Sequence, residues 1–273
     1  MDDVVSSIYS ILNQQQEQPC CTAACSQDDH LAAAYMLNGG THVILCDDVV
    51  DLNDKAVTCM IKADHNGALE TLQVALARIL AIQDHPSTTV QGRTSPIFAN
   101  EESPLASIPL TQTVNHAPFD GIFVLFNRAM VIPRHCDFDI HNNPKNKSRA
   151  LATILYNIAL VYHMEAIQRG GDSAIFRYAL NYYGWSYYVI ESSSREFGFQ
   201  DVLLLLLALF NNMGHIHADV YVNAEKTQQC LRWMQSTFAG KTIQRNLFPD
   251  DYKFFFQYVS MVSTRQLQLA PAA

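Results

Sequence analysis

The stretch of the sequence richest in reactive side chains is residues 134–144, RHCDFDIHNNP. Its imidazole, thiol and carboxylate groups can each bind a metal ion or transfer a proton. In an extended conformation alternate side chains share a face, so the carboxylates of Asp137 and Asp139 would point the same way. One hypothesis is therefore a metal-dependent enzyme that uses His135, Asp137, Asp139 and His141.

The same stretch also fits an exposed connector. It follows Pro133 and leads into HNNPKNKS, which contains turn-forming residues and a candidate helix cap. The next predicted helix starts near Ser148. We favour the connector, and the metal hypothesis remains the alternative.

A second pair of histidines, His215 and His217, lies in a predicted helix. Residues two apart on a helix are separated by about 200° around its axis, so their rings cannot hold one ion. We expect His217 to point inward and to be buried and hydrogen-bonded. Cys20, Cys21 and Cys25 have no partner at zinc spacing nearby. We therefore predict no metal site and no cofactor.

Motifs of the common enzyme classes are missing from the sequence. It has no G-x-S-x-G, no Walker A loop and no H-E-x-x-H. Gly39 and Gly40 precede a possible strand, whereas dinucleotide sites need glycines after the strand. We therefore predict that the protein is not an enzyme and has no catalytic residues.

Composition limits the partners and the location. The formal net charge is −8 and basic residues do not cluster, which disfavours nucleic acid. The longest apolar run, residues 202–210, has nine residues, and a membrane helix needs about 20. The seven cysteines are odd in number and irregularly spaced, which favours free thiols. We expect an intracellular protein, cytoplasmic or nuclear, with no nucleic-acid or membrane partner.

Apolar residues recur with helical spacing over most of the chain, so the predicted fold is mainly α. Residues 1–30 are expected to be a flexible segment, and residues 31–83 a helix hairpin broken at ADHNG. Residues 84–118 hold five of the ten prolines and are predicted to be an exposed linker. Residues 119–268 are predicted to be a helical domain that follows a strand or short hairpin near 120–133. Asp250 is expected to cap its last helix.

The helices at residues 154–190 resemble a tetratricopeptide repeat (TPR). Small Ala159 and Ala179 lie at the positions where the two helices approach, and large Leu155, Tyr162 and Tyr183 lie at the positions that fill the gap. Residues 210–234 fit a second copy and residues 52–75 a weaker third. The chain is similar to a TPR-like family common in diatoms. This implies about three antiparallel hairpins, which are not in tandem here.

The resemblance implies a concave groove that binds protein. The groove positions of a TPR correspond to Thr153, Tyr156, Leu160 and His163, and to Asn211 and His215 in the second copy. We therefore predict a scaffold or adaptor that binds a peptide or partner protein there, with self-association as a further expectation. The alternative is that these side chains pack against the same chain, such as residues 121–132.

Overall fold

Seven α-helices make up most of the part of the chain that the computed structural model describes: residues 45–82, 105–110, 123–134, 140, 143–193, 199–239 and 247–269. They are α1 (Leu45–Ile61), α2 (His65–Ala81), α3 (Pro144–Gln168), α4 (Ser173–Ser192), α5 (Phe199–His215), α6 (Ala224–Phe238) and α7 (Pro249–Leu269). A π-helical turn, Ile216–Val220, follows α5. Apart from Leu45 and Cys46, these residues belong to one unit, Asp47–Ala273. The predicted segment 1–30 and the loop 135–141, except for Ile140, lie outside the described residues.

Asparagine and aspartate side chains start several of the helices. Asn143 accepts hydrogen bonds from the backbone N–H groups of Lys145 and Asn146, and Pro144 begins α3. Proline suits the first helical position because it fixes φ and needs no hydrogen-bond partner. The cap predicted within HNNPKNKS is confirmed, and α3 begins four residues before Ser148. Asp172 caps α4 in the same way.

The centre of the fold is α3. Of its 25 residues 19 are buried, as expected of a helix surrounded by other elements. It forms a hairpin with α4 and also contacts α2 and α5. Ser186 on α4 donates to the carbonyl of Ala152 at 2.7 Å, so a small residue allows the two helices to approach closely.

Two helical stretches are long and apolar enough to span a membrane by length and composition alone. They are Pro144–Gln168 and Asp201–Val220, and 83% and 78% of their apolar windows are buried inside the fold. The nine-residue apolar run lies in α5, and all its residues except Leu206 are buried. Neighbouring elements therefore cover most of this apolar surface.

Two short strands pair inside the helical fold. Strand β1 (Ala106–Pro109) is antiparallel to β2 (Arg128–Val131), with Ala106 opposite Val131 and Pro109 opposite Arg128. The strand predicted near 120–133 is confirmed. Its partner β1 falls in the range predicted as an exposed linker, yet Leu105 and Leu110 beside it are buried. Proline is tolerated because Pro109 ends an edge strand, where its missing N–H costs little.

The first turn of α7 is joined to this strand pair by a buried carboxylate. Asp251 is fully buried and lies 2.9 Å from Arg128 Nε. It also accepts a hydrogen bond of 2.7 Å from Ser107. The helix begins at Pro249, so Asp250 lies inside its first turn and is not the predicted cap. Burial raises the pKa of Asp251, whereas Ser107 and Arg128 lower it.

The turn between α1 and α2 contains a strained residue. Ala63 has φ 62°, a left-handed conformation that costs about 1–2 kcal/mol for residues with a Cβ. The backbone N–H of Asp64 there donates to the carbonyl of Cys59 at 2.9 Å, which closes the end of α1. Asp64 then starts α2 by accepting from the N–H of Gly67.

We expect Ala63→Gly to raise the free energy of unfolding by about 1 kcal/mol, because glycine adopts positive φ without steric cost. Denaturant unfolding followed by circular dichroism measures the change. The matched control is Ala77→Gly, at an exposed position inside α2, which should lower stability by about 1 kcal/mol. Equal effects of the two substitutions would contradict the strain at Ala63.

Candidate functional site

An extended segment runs through the middle of the helices. Residues 123–132, which we call the inner segment, include β2 at their C-terminal end. Six of its side chains are at most 3% exposed: Phe123, Leu125, Phe126, Ala129, Met130 and Ile132. Only part of the segment pairs with β1, so the remaining buried N–H and C=O groups need partners from elsewhere.

Asn157 on α3 supplies partners for one residue of the inner segment. Its Oδ1 accepts from Met130 N–H at 2.9 Å and its Nδ2 donates to Met130 C=O at 2.8 Å. Asn53 on α1 also donates to Met130 C=O, at 3.2 Å, and accepts from Asn157 Nδ2 at 2.9 Å. All three residues are fully buried. A single side-chain amide thus binds both backbone groups of one residue.

Asn212 on α5 repeats this arrangement at Phe126, four residues before Met130. Its Oδ1 accepts from Phe126 N–H at 2.9 Å, and its Nδ2 lies 3.3 Å from Phe126 C=O. The N–H of Phe126 fixes which end of the amide is the oxygen. We call Asn157 and Asn212 the clamp asparagines. Because they bind backbone groups, the clamp does not depend on the side chains of the held segment.

Two further side chains form hydrogen bonds with the inner segment. One bonds to Arg128, between the two clamped residues, and the other to Val124, before them. Asn211 donates to the carbonyl of Val124 at 2.7 Å, and the hydroxyl of Tyr156 donates to that of Arg128 at 3.2 Å. Burial raises the pKa of Tyr156. The phenol therefore stays protonated and remains a donor.

Gly214 on α5 provides space for an aromatic ring. A Cβ placed on Gly214 would collide with the ring of Phe123. Phe123 therefore occupies a slot that exists because residue 214 has no side chain. Together with the clamp asparagines, this slot fixes the register of the inner segment relative to α3 and α5.

The six residues predicted to line an open groove are all buried in the protein. Thr153, Tyr156, Leu160, His163 and Asn211 are fully buried and His215 is 6% exposed. Tyr156 and Asn211 contact the inner segment directly, whereas Thr153 donates to the carbonyl of Arg149 in its own helix. The chain's own inner segment lies against Tyr156 and Asn211. The arrangement agrees with the alternative that the residues pack against 121–132.

His163 and His215 do not face the inner segment. His163 Nε2 lies 3.1 Å from His215 Nδ1, so the two predicted groove histidines contact each other. The expectation that His217 would be the buried, hydrogen-bonded histidine is wrong. His217 is half-buried, and no hydrogen bond to its Nδ1 occurs among the described residues. The π-helical turn that starts at Ile216 changes the helical phase after His215, which explains why His217 does not take the inward position.

Sequence reasoning missed Asn53, Asn157 and Asn212, which carry most of the backbone contacts. A signal for two of them exists in the sequence. Asn157 interrupts the apolar run LYNIALV, and Asn212 follows the apolar run of α5. Asparagine is a poor helix former, so an asparagine on the apolar face of a helix indicates a buried amide with partners.

Several tyrosines lie close together along α4. Tyr182 and Tyr183 are fully buried, and Tyr188 is 46% exposed. The Tyr183 hydroxyl lies within the core, 3.1 Å from Asn212 Nδ2. Burial raises the pKa of Tyr183, so it remains a neutral phenol.

No group of three or more His, Cys, Asp or Glu side chains able to hold a metal ion occurs among the described residues. The hypothesis for residues 134–144 concerns a loop that lies almost wholly outside them, so it stays a prediction. Of the cysteines that the structure describes, Cys59 and Cys230 carry free thiols. Burial raises the pKa of Cys230 to about 12, so that thiol is not a nucleophile at neutral pH.

Comparison of the sequence with protein-family models and with curated proteins, and of the fold with solved structures, gives no match. The TPR-like resemblance therefore stays a prediction based on the repeat residues.

We expect Asn157→Ala to lower the free energy of unfolding by about 2–4 kcal/mol, because it removes the acceptor of the buried Met130 N–H. Denaturant unfolding measures the change. Asn181→Ala, at an exposed position on α4, is the matched control and should change stability by less than about 0.5 kcal/mol. Similar losses for the two variants would contradict the clamp.

Gly214→Ala and Gly184→Ala should have opposite effects. The first places a methyl group against Phe123 and should cost about 1–3 kcal/mol of stability. The second has no atom within 4 Å of the new Cβ and should add about 0.5–1 kcal/mol, because alanine favours a helix. Thermal and denaturant unfolding of both variants measure the sign of each change in the free energy of unfolding. A stabilised Gly214→Ala variant would mean that Phe123 does not fill this slot.

Proposed function

We propose that this protein is a non-enzymatic scaffold or adaptor whose helical array binds an extended polypeptide in its concave groove. The observation that carries the proposal is the pair of clamp asparagines, each of which binds the N–H and C=O of one residue. Backbone hydrogen bonds give affinity for an extended chain, and slots for alternate side chains give specificity. The partner is then a protein or peptide with an extended apolar stretch.

The inner segment indicates what such a partner resembles. It presents an aromatic ring to the slot at Gly214 and buries Phe126 and Met130 beside the clamp asparagines. Residues 124, 127, 128 and 131 are less buried. A partner segment would therefore carry a large aromatic residue, then large apolar residues at the two clamped positions.

The resident inner segment has to leave the groove before a partner enters it. A segment tethered in the same chain competes at an effective concentration on the order of millimolar. The proposal therefore requires that part of the segment detach, beginning with the end that Phe123 anchors. Self-association, in which a second copy supplies the segment, belongs to the same class of binding.

The absence of enzymatic activity and an intracellular location, in the cytoplasm or nucleus, are parts of this proposal. The neutral phenols of Tyr156 and Tyr183 and the protonated thiol of Cys230 support a structural role for these groups. The free thiols of Cys59 and Cys230 agree with a reducing compartment.

A fluorescent peptide with the sequence of residues 121–133 tests the groove. We expect the full-length variant Phe123→Ala to bind it about tenfold or more tightly than the unmodified protein. The reason is that a buried phenylalanine ring contributes about 1.5–3 kcal/mol, and the variant's own segment has lost it. Fluorescence anisotropy measures the two dissociation constants, and circular dichroism confirms that the variant is folded.

Adding Gly214→Ala to Phe123→Ala provides the control. The resident segment no longer has a ring at the slot, so the new methyl group does not disturb it, whereas the peptide's ring collides with it. Peptide binding should fall at least to the level of the unmodified protein. A folded Phe123→Ala variant that does not bind the peptide, or that binds it equally with Gly214→Ala, would overturn the proposal.

A further inference from the structure

A path of polar side chains runs from the surface into the core beside the π-helical turn. Asp219 on the turn has a 41% exposed side chain and lies 3.4 Å from His215 Nε2. His215 Nδ1 lies 3.1 Å from His163 Nε2, and His163 Nδ1 lies 3.3 Å from the Tyr183 hydroxyl. Both nitrogens of both rings are thus engaged. The two histidines are 0% and 6% exposed, so bulk water does not replace these partners.

The amide of Asn212 sets the direction of the protons along this path. Its Nδ2 donates to the Tyr183 hydroxyl, so Tyr183 directs its own proton at His163 Nδ1. His163 then holds its proton on Nε2 and donates it to His215 Nδ1. His215 is consequently protonated on Nε2, the nitrogen that faces Asp219. Both rings are neutral in this arrangement.

We infer that His163 and His215 form a binding site for one proton, and that uptake of this proton tightens the π-helical turn Ile216–Val220. This inference does not depend on the peptide-binding proposal. It rests on the four distances between Asp219 and Asn212 along the path, and on the burial of the two rings.

The geometry limits uptake to a single proton. A gap of 3.1 Å between two ring nitrogens has room for one hydrogen. The only ring nitrogen that lacks a proton and is not part of this gap is His163 Nδ1. When a proton binds there, the Tyr183 hydroxyl rotates its own proton away and accepts from both His163 and Asn212. The pair then becomes a single cation shared by two rings.

The charge on the pair acts on the turn through Asp219. The carboxylate is the charged end of the path and belongs to the turn itself, four residues after His215. A cationic pair attracts it more strongly than a neutral pair does, and the buried side of the contact is poorly screened. Protonation should therefore hold the turn more firmly against α5.

The turn has a strained end that makes such a change observable. Val222, two residues after the turn, has φ 47° and is 80% exposed. A β-branched residue rarely adopts positive φ. Tyr221 before it donates its hydroxyl hydrogen to the carbonyl of Ser173 at 3.0 Å. We expect the opening of the backbone from 217 to 223 to respond to a single added ion pair.

The groups around the pair include one carboxylate, a phenol and a third imidazole, that of His217. Asp219 faces it from the turn and Tyr183 from α4, where the ring of Phe176 also packs edge-on against His163. His217 lies on the turn, and burial together with Lys226 on α6 lowers its pKa. Because His217 is also an imidazole, its own titration has to be separated from that of the pair.

Two measurements on the full-length protein test the inference, with His217→Gln as the background that removes the neighbouring imidazole. Nitrogen-15 NMR of labelled histidines between pH 8 and pH 5 should show His163 and His215 changing together in one step. The integrated change should correspond to one proton. Two separate steps, or neutral rings throughout this range, would overturn the inference.

Amide hydrogen exchange over residues 217–223 is the second measurement. After correction for the intrinsic pH dependence, exchange should be about two- to fivefold slower on the acidic side of the NMR step than on its basic side. Asp219→Asn removes the surface carboxylate without touching the core and should abolish this difference. Equal protection on both sides, or a difference that survives Asp219→Asn, would show that the pair does not act on the turn.

Discussion

The structure depends on satisfying the hydrogen bonds of an extended backbone that is buried among helices. A helix pairs its own N–H and C=O groups, but the inner segment cannot, and β1 pairs only with residues 128–131. An unpaired buried backbone group costs about 1–3 kcal/mol. Phe126 lies outside the strand pair, so its backbone groups need a polar side chain as a partner. Asn212 on α5 is that partner. Met130 lies within the strand pair, and its N–H and C=O groups are hydrogen-bonded to the side-chain amide of Asn157 on α3.

This requirement explains why the core is unusually polar for a helical protein. Asn53, Asn157, Asn211 and Asn212 are all fully buried on helices, where asparagine is intrinsically unfavourable. Their amides offer a donor and an acceptor in one plane, which is the pattern that a neighbouring strand would offer. The helices on either side thus serve the inner segment as a sheet would. Placing the same amide on both α3 and α5 also fixes how these helices lie relative to each other.

Much of the fold could be predicted because helical periodicity is a strong signal, whereas the site could not. The helices around Leu155 and Leu231 follow from the spacing of apolar residues. The strand near 120–133 follows from its β-branched and aromatic residues. Strand β1 was missed because Pro109 and its neighbours have the composition of a loop, and only pairing with β2 reveals a strand. Tyr156 and Asn211 contact the inner segment, but the sequence does not say what fills the face on which they lie. The π-helical turn after His215 was enough to move His217 out of the inward position predicted for it.

The contact between Phe126 and Asn212 has a consequence for how the chain is made. The two residues are 86 positions apart, and ribosomes add about 5–20 residues each second. The inner segment therefore exists for about 4–17 s before the side chain that completes its hydrogen bonds has been synthesised. During that interval an apolar, strand-forming stretch has only part of its partners. The nascent inner segment therefore has to be protected from other contacts until α5 has emerged from the ribosome.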